Sequence, residues 1–315
     1  MEEQNTIIHN ILKNSNLNQS INETTSGDIE SVLDMVSKTV VDKYNTSLGY
    51  SICEVLPTSS PLSVIFASTR DSDGNFKVMK KDIHSNNNII DTGFTTEVLQ
   101  DMSKMLKTST NKSASSVLSG ISAQNENLNL MTFIDSNSVT ETTLNVDPSV
   151  PGWTTAIITQ KVSELAIKMN RNSFKTLKSF CILSAKWASY FLSSVYLKDE
   201  KKRGTLYIGT YGNTDYYVNP FPNTASEFRQ EQFDYSFSIE DPNAIDYCYV
   251  GLKSEVPGES SLVFSPYQYS WDFITDPTTG NEKLFLHNRY GIETSPLHEP
   301  LRERSLLYKF PITSI

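Results

Sequence analysis

The chain has 315 residues, 38% of them hydrophobic and 20% charged, with a net charge of -9. That is enough apolar material for one large domain or two modest ones, and it excludes a disordered chain. The acidic balance excludes a sequence-reading nucleic-acid binder, which needs clustered Lys and Arg to neutralise phosphates. The 15 Tyr and 15 Phe beside few charges suit a chain that hides surface against neighbours, although aromatic residues also fill ordinary cores.

Residues 1–27 are rich in Asn, Ser and Thr and read as an extended arm. Its acidic start, Glu2 and Glu3, is the reverse of a secretory signal. A helix from Ile29 to Tyr44 follows, capped by Asp28 or Ser26, with Ile29, Val32, Leu33, Val36 and Val40 at helical spacing. Ser51 to Glu54 and Leu62 to Ser68 read as strands joined by a corner at Pro57 and Pro61. Asp71 to Asn75 has the residues of a hairpin turn, and Phe76 stands where a calcium loop needs glycine. Asn86 to Asn88 reads as a polar loop and Glu97 to Leu106 as weakly helical, while Thr108 to Asn145 shows no clear period.

Order returns with an amphipathic helix over Trp153 to Met169, carrying Ile157, Ile158, Val162, Leu165, Ala166 and Met169 on one stripe. Phe180 to Leu183 reads as a buried strand, and Ser184 is a natural cap for a helix to Ser193. Further strands are expected at Leu206 to Thr210, Tyr216 to Asn219, Tyr247 to Leu252, Leu262 to Ser265 and Leu284 to Leu286. The class is α+β.

Catalytic and metal-binding patterns do not emerge. His9, His84, His287 and His298 are scattered, and no HExxH, GxSxG, P-loop or GxGxxG occurs. The IGTYGN glycines, Gly209 and Gly212, suit a hairpin turn. Cys53, Cys181 and Cys248 fit neither a redox pair nor a zinc site and are assigned to the core as small apolar residues. The longest apolar stretch, Ser179 to Leu197, holds Lys186 and five serines and is no membrane span. The aromatic run Phe233 to Phe237, with Tyr247 and Tyr249, fits a carbohydrate or receptor-binding platform, or a strand facing a core or a second subunit.

Three ordered blocks, YVGLK, LVFSPYQY and LFLHNRYGIETSP between Tyr249 and Pro296, resemble the closing region of the major capsid proteins of T-even-type tailed bacteriophages. Upstream, Asn172 to Leu192 resembles the buried strand and Ser-led helix of that family, and Tyr207 to Asn223 its hairpin. Asp42 to Arg70 resembles the passage from arm to first sheet, with Val55, Pro57, Pro61 and Phe66 on the signature; RSLLYKFPITSI resembles the terminal strand. Together these cover about two thirds of the chain, in the family's order.

The resemblance implies the Hong Kong 97-type capsid fold, with an N-terminal arm, extended loop, peripheral domain with spine helix, and axial domain. The corresponding division is 1–50 arm and helix, 51–170 peripheral domain, 171–280 axial domain and 281–315 return strands. Against longer family members, Asp71 to Val150 has room for only reduced versions of the loop, the inserted domain and the spine helix. Two roles stay open: the principal hexamer-forming subunit and a pentameric vertex paralogue. Glu30 stands where the family's maturation cut would fall, although Gly27 and Asp28 before it are a poor match.

The implied function is a non-enzymatic head shell, made in the bacterial host cytoplasm and residing in the virion. It would self-assemble into hexamers and pentamers, with vertex, portal, scaffold or decoration proteins as further partners, no membrane and no cofactor. Packaged double-stranded DNA would be contacted non-specifically, since an acidic wall contains a polymer without holding it. The implied structural residues are Pro57, Pro61, Gly251, Pro266, Tyr267, Arg289, Tyr290, Gly291 and Pro296. In that scheme Gly251 and Gly291 permit close approach or unusual dihedrals, Pro266 and Pro296 end strands, and Arg289 anchors a charged network near the spine with a carboxylate partner.

Overall fold

The computed structural model describes residues 41, 43, 46–70, 75–91, 110–173, 176–192, 206–219, 221, 246–254, 256–275, 282–299 and 304–315. The arm, Glu30, the Glu97 to Leu106 segment and the Phe233 to Phe237 run lie outside them. So does most of the Ile29 to Tyr44 helix, of which Val41 and Lys43 are described and helical.

Among the described residues two sheets and a separate ribbon carry the fold. The four-stranded sheet has the order β1 (Glu54–Val55), β11 (Leu262–Thr275), β12 (Glu282–Thr294), β4 (Asn86–Asp91). The seven-stranded sheet runs β5 (Val139–Thr140), β13 (Leu307–Ser314), β10 (Asp246–Lys253), β7 (Lys178–Leu183), β9 (Thr214–Val218), β8 (Tyr207–Tyr211), with β6 (Leu144–Val146) also on β13. The ribbon is β2 (Leu62–Arg70) with β3 (Phe76–His84). Four helices pack on these: α1 (Leu48–Ile52), α2 (Thr110–Asn137), α3 (Pro151–Ser173) and α4 (Ala185–Leu192).

The seven-stranded sheet is buried on both faces, which is why KSFCIL reads as a continuous apolar run. Phe180, Ile182 and Tyr249 turn towards α1, α2 and the four-stranded sheet. Cys181, Leu183, Cys248, Val250 and Leu252 turn the other way, onto α3 and α4, where Val162, Leu165, Met169, Trp187 and Phe191 close the second core. All three cysteines are buried and free, with Cys181 and Cys248 Sγ atoms 3.3 Å apart across neighbouring strands. Ser184 caps α4, its Oγ accepting from Trp187 N at 3.5 Å. The β8–β9 hairpin turns at Gly212, whose φ of 60° favours glycine.

Several expectations are corrected. Of the strand expected over Ser51 to Glu54, Glu54 opens β1, while Ser51 and Ile52 end the helical turn α1, which forms because Ser47 Oγ accepts from Gly49 N and Asn127 Oδ1 of α2 accepts from Leu48 N at 2.7 Å. Asn86 to Asn88 is no loop but the start of β4, whose backbone pairs with Tyr290, Arg289 and Asn288 of β12. The Thr108 to Asn145 segment contains the longest described helix, 28 residues. Pro266 does not end its strand: β11 continues to Thr275 because a bulge at Tyr267 absorbs the missing N–H. Residues 281–315 divide between the sheets, β12 pairing with β11 and β13 with β10.

Candidate assembly surface

The β2–β3 ribbon presents its two faces differently. Strand alternation sends Ile65, Ala67 and Ile83 inward, where Ile65 and Ile83 pack with Val263. Leu62, Val64 and Phe66 of β2 and Phe76 and Val78 of β3 point outward. The register sets Ser68 opposite Val78 and Arg70 opposite Phe76, so both strands feed one apolar stripe. Phe66, Phe76 and Val78 are 56%, 78% and 69% exposed. Cross-strand Lys80, Asp82 and His84, opposite Phe66, Val64 and Leu62, give the stripe a polar flank. Contiguous exposed apolar surface rimmed by polar residues is the usual mark of a protein contact.

The body holds the ribbon by its base. Lys81 Nζ meets Glu293 Oε1 at 2.8 Å and donates to Thr294 Oγ1 at 2.6 Å. Ser85 N donates to Pro61 O at 2.8 Å. Two glycines permit the approach. A Cβ on Gly291 would meet Ile83 Cγ2 at 2.6 Å and His84 O at 2.8 Å, and one on Gly258, at φ 83°, would meet Phe66 O at 2.1 Å. Both carboxylate oxygens of Glu54 accept from Gly258 N, at 3.0 and 2.9 Å, which fixes that loop to β1. Burial pushes the Glu54 carboxyl up to about 7 against the lowering effect of the Gly258 and Ser260 amides. Sequence reasoning missed Glu54 and Gly258; a glutamate ending a strand and a Pro-Gly pair at 257–258 were the only signals.

The other motif residues are distributed around this base. Pro57 is half-buried in a stretch running beside β11: Leu56 N donates to Phe264 O and Thr58 N to Pro266 O, so proline occupies the alternate position whose N–H has no acceptor to find. Pro61 is exposed at the ribbon's foot. Tyr267, half-buried, is the extra residue of the bulge. Gly251 lies between β7 and β13, where a Cβ would stand 2.4 Å from Phe180 Cζ and 3.1 Å from Leu307 Cδ1. Tyr290 is buried against Phe264, ring centroids 5.4 Å apart, and its hydroxyl accepts from Asn129 of α2 at 2.8 Å. Pro296 is buried in the turn after β12.

Arg289 departs from its expected role. It is exposed and donates from Nε to Asn87 Oδ1 at 3.4 Å. The charged network lies on the opposite side of the strand, one residue away. There Lys43 Nζ donates to Glu126 Oε1 at 2.8 Å, Asn288 Nδ2 donates to the same oxygen at 2.9 Å, and the Tyr269 hydroxyl donates to it at 3.1 Å. Tyr269 and Tyr50 share a hydroxyl contact of 3.0 Å.

A ribbon carrying an apolar stripe thus stands on a body of two sheets, one beneath a long helix and the other buried on both faces. The family model of the major capsid protein Gp23 matches residues 67–306, and the chain belongs to that family. It is a structural subunit of a phage head shell, with the α+β architecture of the Hong Kong 97-type capsid fold. No curated protein matches the sequence. A crystal structure of a virus-like particle from Pyrococcus furiosus is similar at 11% identity, over 89% of this chain and 99% of that one, with a TM-score of 0.51. A chain of Mycobacterium phage Ogopogo (9% identity, 85% and 92% covered, TM-score 0.49) and the acidic stable capsid structure of Helicobacter pylori bacteriophage KHP30 (11%, 85% and 90%, 0.48) are also similar. Among the described residues, no helix is long and apolar enough to cross a membrane.

Proposed function

We propose that this subunit closes into hexameric and pentameric rings of an icosahedral shell by laying the outer face of β2–β3 over a second copy. The exposed stripe of Leu62, Val64, Phe66, Phe76 and Val78 is the observation that carries the reading. A closed ring buries such a stripe once per subunit with no edge left over. The arm (1–50), peripheral (51–170), axial (171–280) and returning (281–315) divisions belong to the same reading, with β13 completing the axial sheet. So do synthesis in the host cytoplasm, the absence of catalysis, non-specific containment of double-stranded DNA by an acidic wall, and contacts with vertex, portal, scaffold or decoration proteins.

The test is sedimentation and negative-stain imaging of the wild-type chain beside Phe76→Asp/Val78→Asp. The wild type should give rings or shells. The variant should remain a subunit with an unfolding free energy within about 0.5 kcal/mol of wild type, since both side chains already face solvent. Normal shells from the variant would remove the ribbon from the interface. Wild-type pentamers without hexamers would assign the chain to the vertices.

A further inference from the structure

Cys181 and Cys248 are 67 residues apart in sequence, yet their Sγ atoms lie 3.3 Å from each other in the second core. Register explains the meeting. Cys181 of β7 pairs with Val250 of β10, and Cys248 stands two residues along β10 on the same face, so the thiols are diagonal neighbours on adjacent strands. Both residues are fully buried, and each strand is held on its far edge, β7 by β9 and β10 by β13. A disulfide holds its sulfurs about 2.0 Å apart, so these two need to approach by roughly 1.3 Å more. Burial, with the Cys248 sulfur beside it, pushes the Cys181 thiol up and disfavours a thiolate, whereas a disulfide carries no charge and suits the same apolar core. Diagonal neighbours stand roughly 7–8 Å apart at Cα, at the outer limit of disulfide reach, so a bond here strains both strands and is easily reduced. Cys53 belongs to the first core, on the other face of this sheet.

We propose that Cys181 and Cys248 form a reversible disulfide within the chain, open in a reducing compartment and closed by a low-molecular-weight disulfide. Their spacing in sequence suggests no redox pair; the sheet register makes one. Closure is a double exchange. As β7 and β10 part briefly, one cysteine sulfur gives up its proton and attacks a sulfur of the small disulfide, whose S–S bond breaks and releases one small thiol. The second cysteine sulfur then attacks the first, the mixed S–S bond breaks, and another small thiol leaves with the remaining proton. Two cysteine thiols are oxidised to one disulfide, and one small disulfide is reduced to two thiols, with no other reactant. The mixed intermediate is too bulky for a close-packed core, so reclosure of the strands favours the second exchange. The bond ties β7 to β10, the central pair of the seven-stranded sheet, and since both residues belong to one chain it does not depend on ring assembly.

The test holds the folded full-length chain to equilibrium with oxidised glutathione in sub-denaturing urea, which speeds the parting of the strands, then quenches with acid, denatures, alkylates and maps the peptides. Alkylation should fall from all three cysteines to Cys53 alone, with the segments of Cys181 and Cys248 recovered as one linked pair and the chain lighter by two hydrogens before alkylation. Excess reduced glutathione should restore alkylation at all three. Cys53→Ala should keep the link and Cys181→Ala should lose it. Three alkylated cysteines under oxidised glutathione overturn the proposal, and so do a link through Cys53, a retained glutathione adduct, a covalent dimer, or a bond that survives excess reduced glutathione. The wild-type measurement decides by itself, so a variant that fails to fold does not spoil the test.

Discussion

Asn288 and Arg289 are neighbours in β12 that face opposite sides of the sheet: Asn288 reaches inward to Glu126 at 2.9 Å, and Arg289 reaches outward to Asn87 at 3.4 Å. Strand alternation therefore places the buried polar role on the asparagine and leaves the arginine in water. Arg289→Ala should change the isolated subunit's unfolding free energy by no more than about 0.5 kcal/mol. Asn288→Ala should cost about 1–3 kcal/mol, because it leaves part of a buried cluster unsatisfied. Urea denaturation of both variants compares them directly; equal losses would return Arg289 to a structural role.

Gly251 has its Cα over the Phe180 ring, with room for hydrogen alone. Gly251→Ala forces the ring aside in a core closed by Leu307, and overpacking of this kind costs about 1–3 kcal/mol. A melting temperature unchanged from wild type would show that the ring has somewhere to go.

Phe264 is buried between Tyr50 and Tyr290, with ring centroids at 5.1 and 5.4 Å, and Gly49 closes over its ring. Phe264→Ala should cost about 3–5 kcal/mol and impair assembly through loss of the folded subunit. Calorimetry showing a loss below about 1 kcal/mol would mean that the site collapses onto the gap.

Two buried groups titrate in opposite senses. Burial raises Glu54 from its ordinary 4.5 to about 7, so its contribution to stability is whole below pH 4.5 and is lost as pH rises through 7. Burial lowers His298 from 6.5 to about 4, with Nε2 donating to Asn137 O and Nδ1 accepting from Leu306 N. Its contribution is whole above pH 6.5 and is lost as pH falls through 4. The slopes oppose each other between pH 4.5 and 6.5. Glu54→Gln removes the Glu54 slope, so the variant's melting temperature should rise with pH more steeply than wild type across that window. A constant offset at every pH would exclude Glu54 as the titrating group.

Where the buried surface is apolar, the sequence announces its structure: the α3 stripe of Ile158, Val162, Leu165 and Met169 and the β7 run are both legible from spacing. The α2 helix is hidden because its buried face includes Ser119, Ser122, Glu126 and Asn127 among Leu118, Leu130, Met131 and Ile134. A period defined by hydrophobicity skips such positions, although they recur at helical spacing. Asn86 to Asn88 misleads for the complementary reason, since its place in the sheet comes from β12 rather than from its own strand preference. The apolar residues of β2 and β3 are readable as strand, but which face would stay uncovered depends on Gly258 and Gly291, far away in the chain.

The seat of the ribbon has a mechanical meaning. Gly258 lies so close to Phe66 O that the ribbon cannot slide along the body, and Lys81 clamps it to Glu293 on the neighbouring edge. Farther along the ribbon, Ala67 lies in the second core and Met79 packs against it, so the inner face is fastened along its length. A load applied at Phe76 would therefore pass as compression into the two cores instead of bending the ribbon.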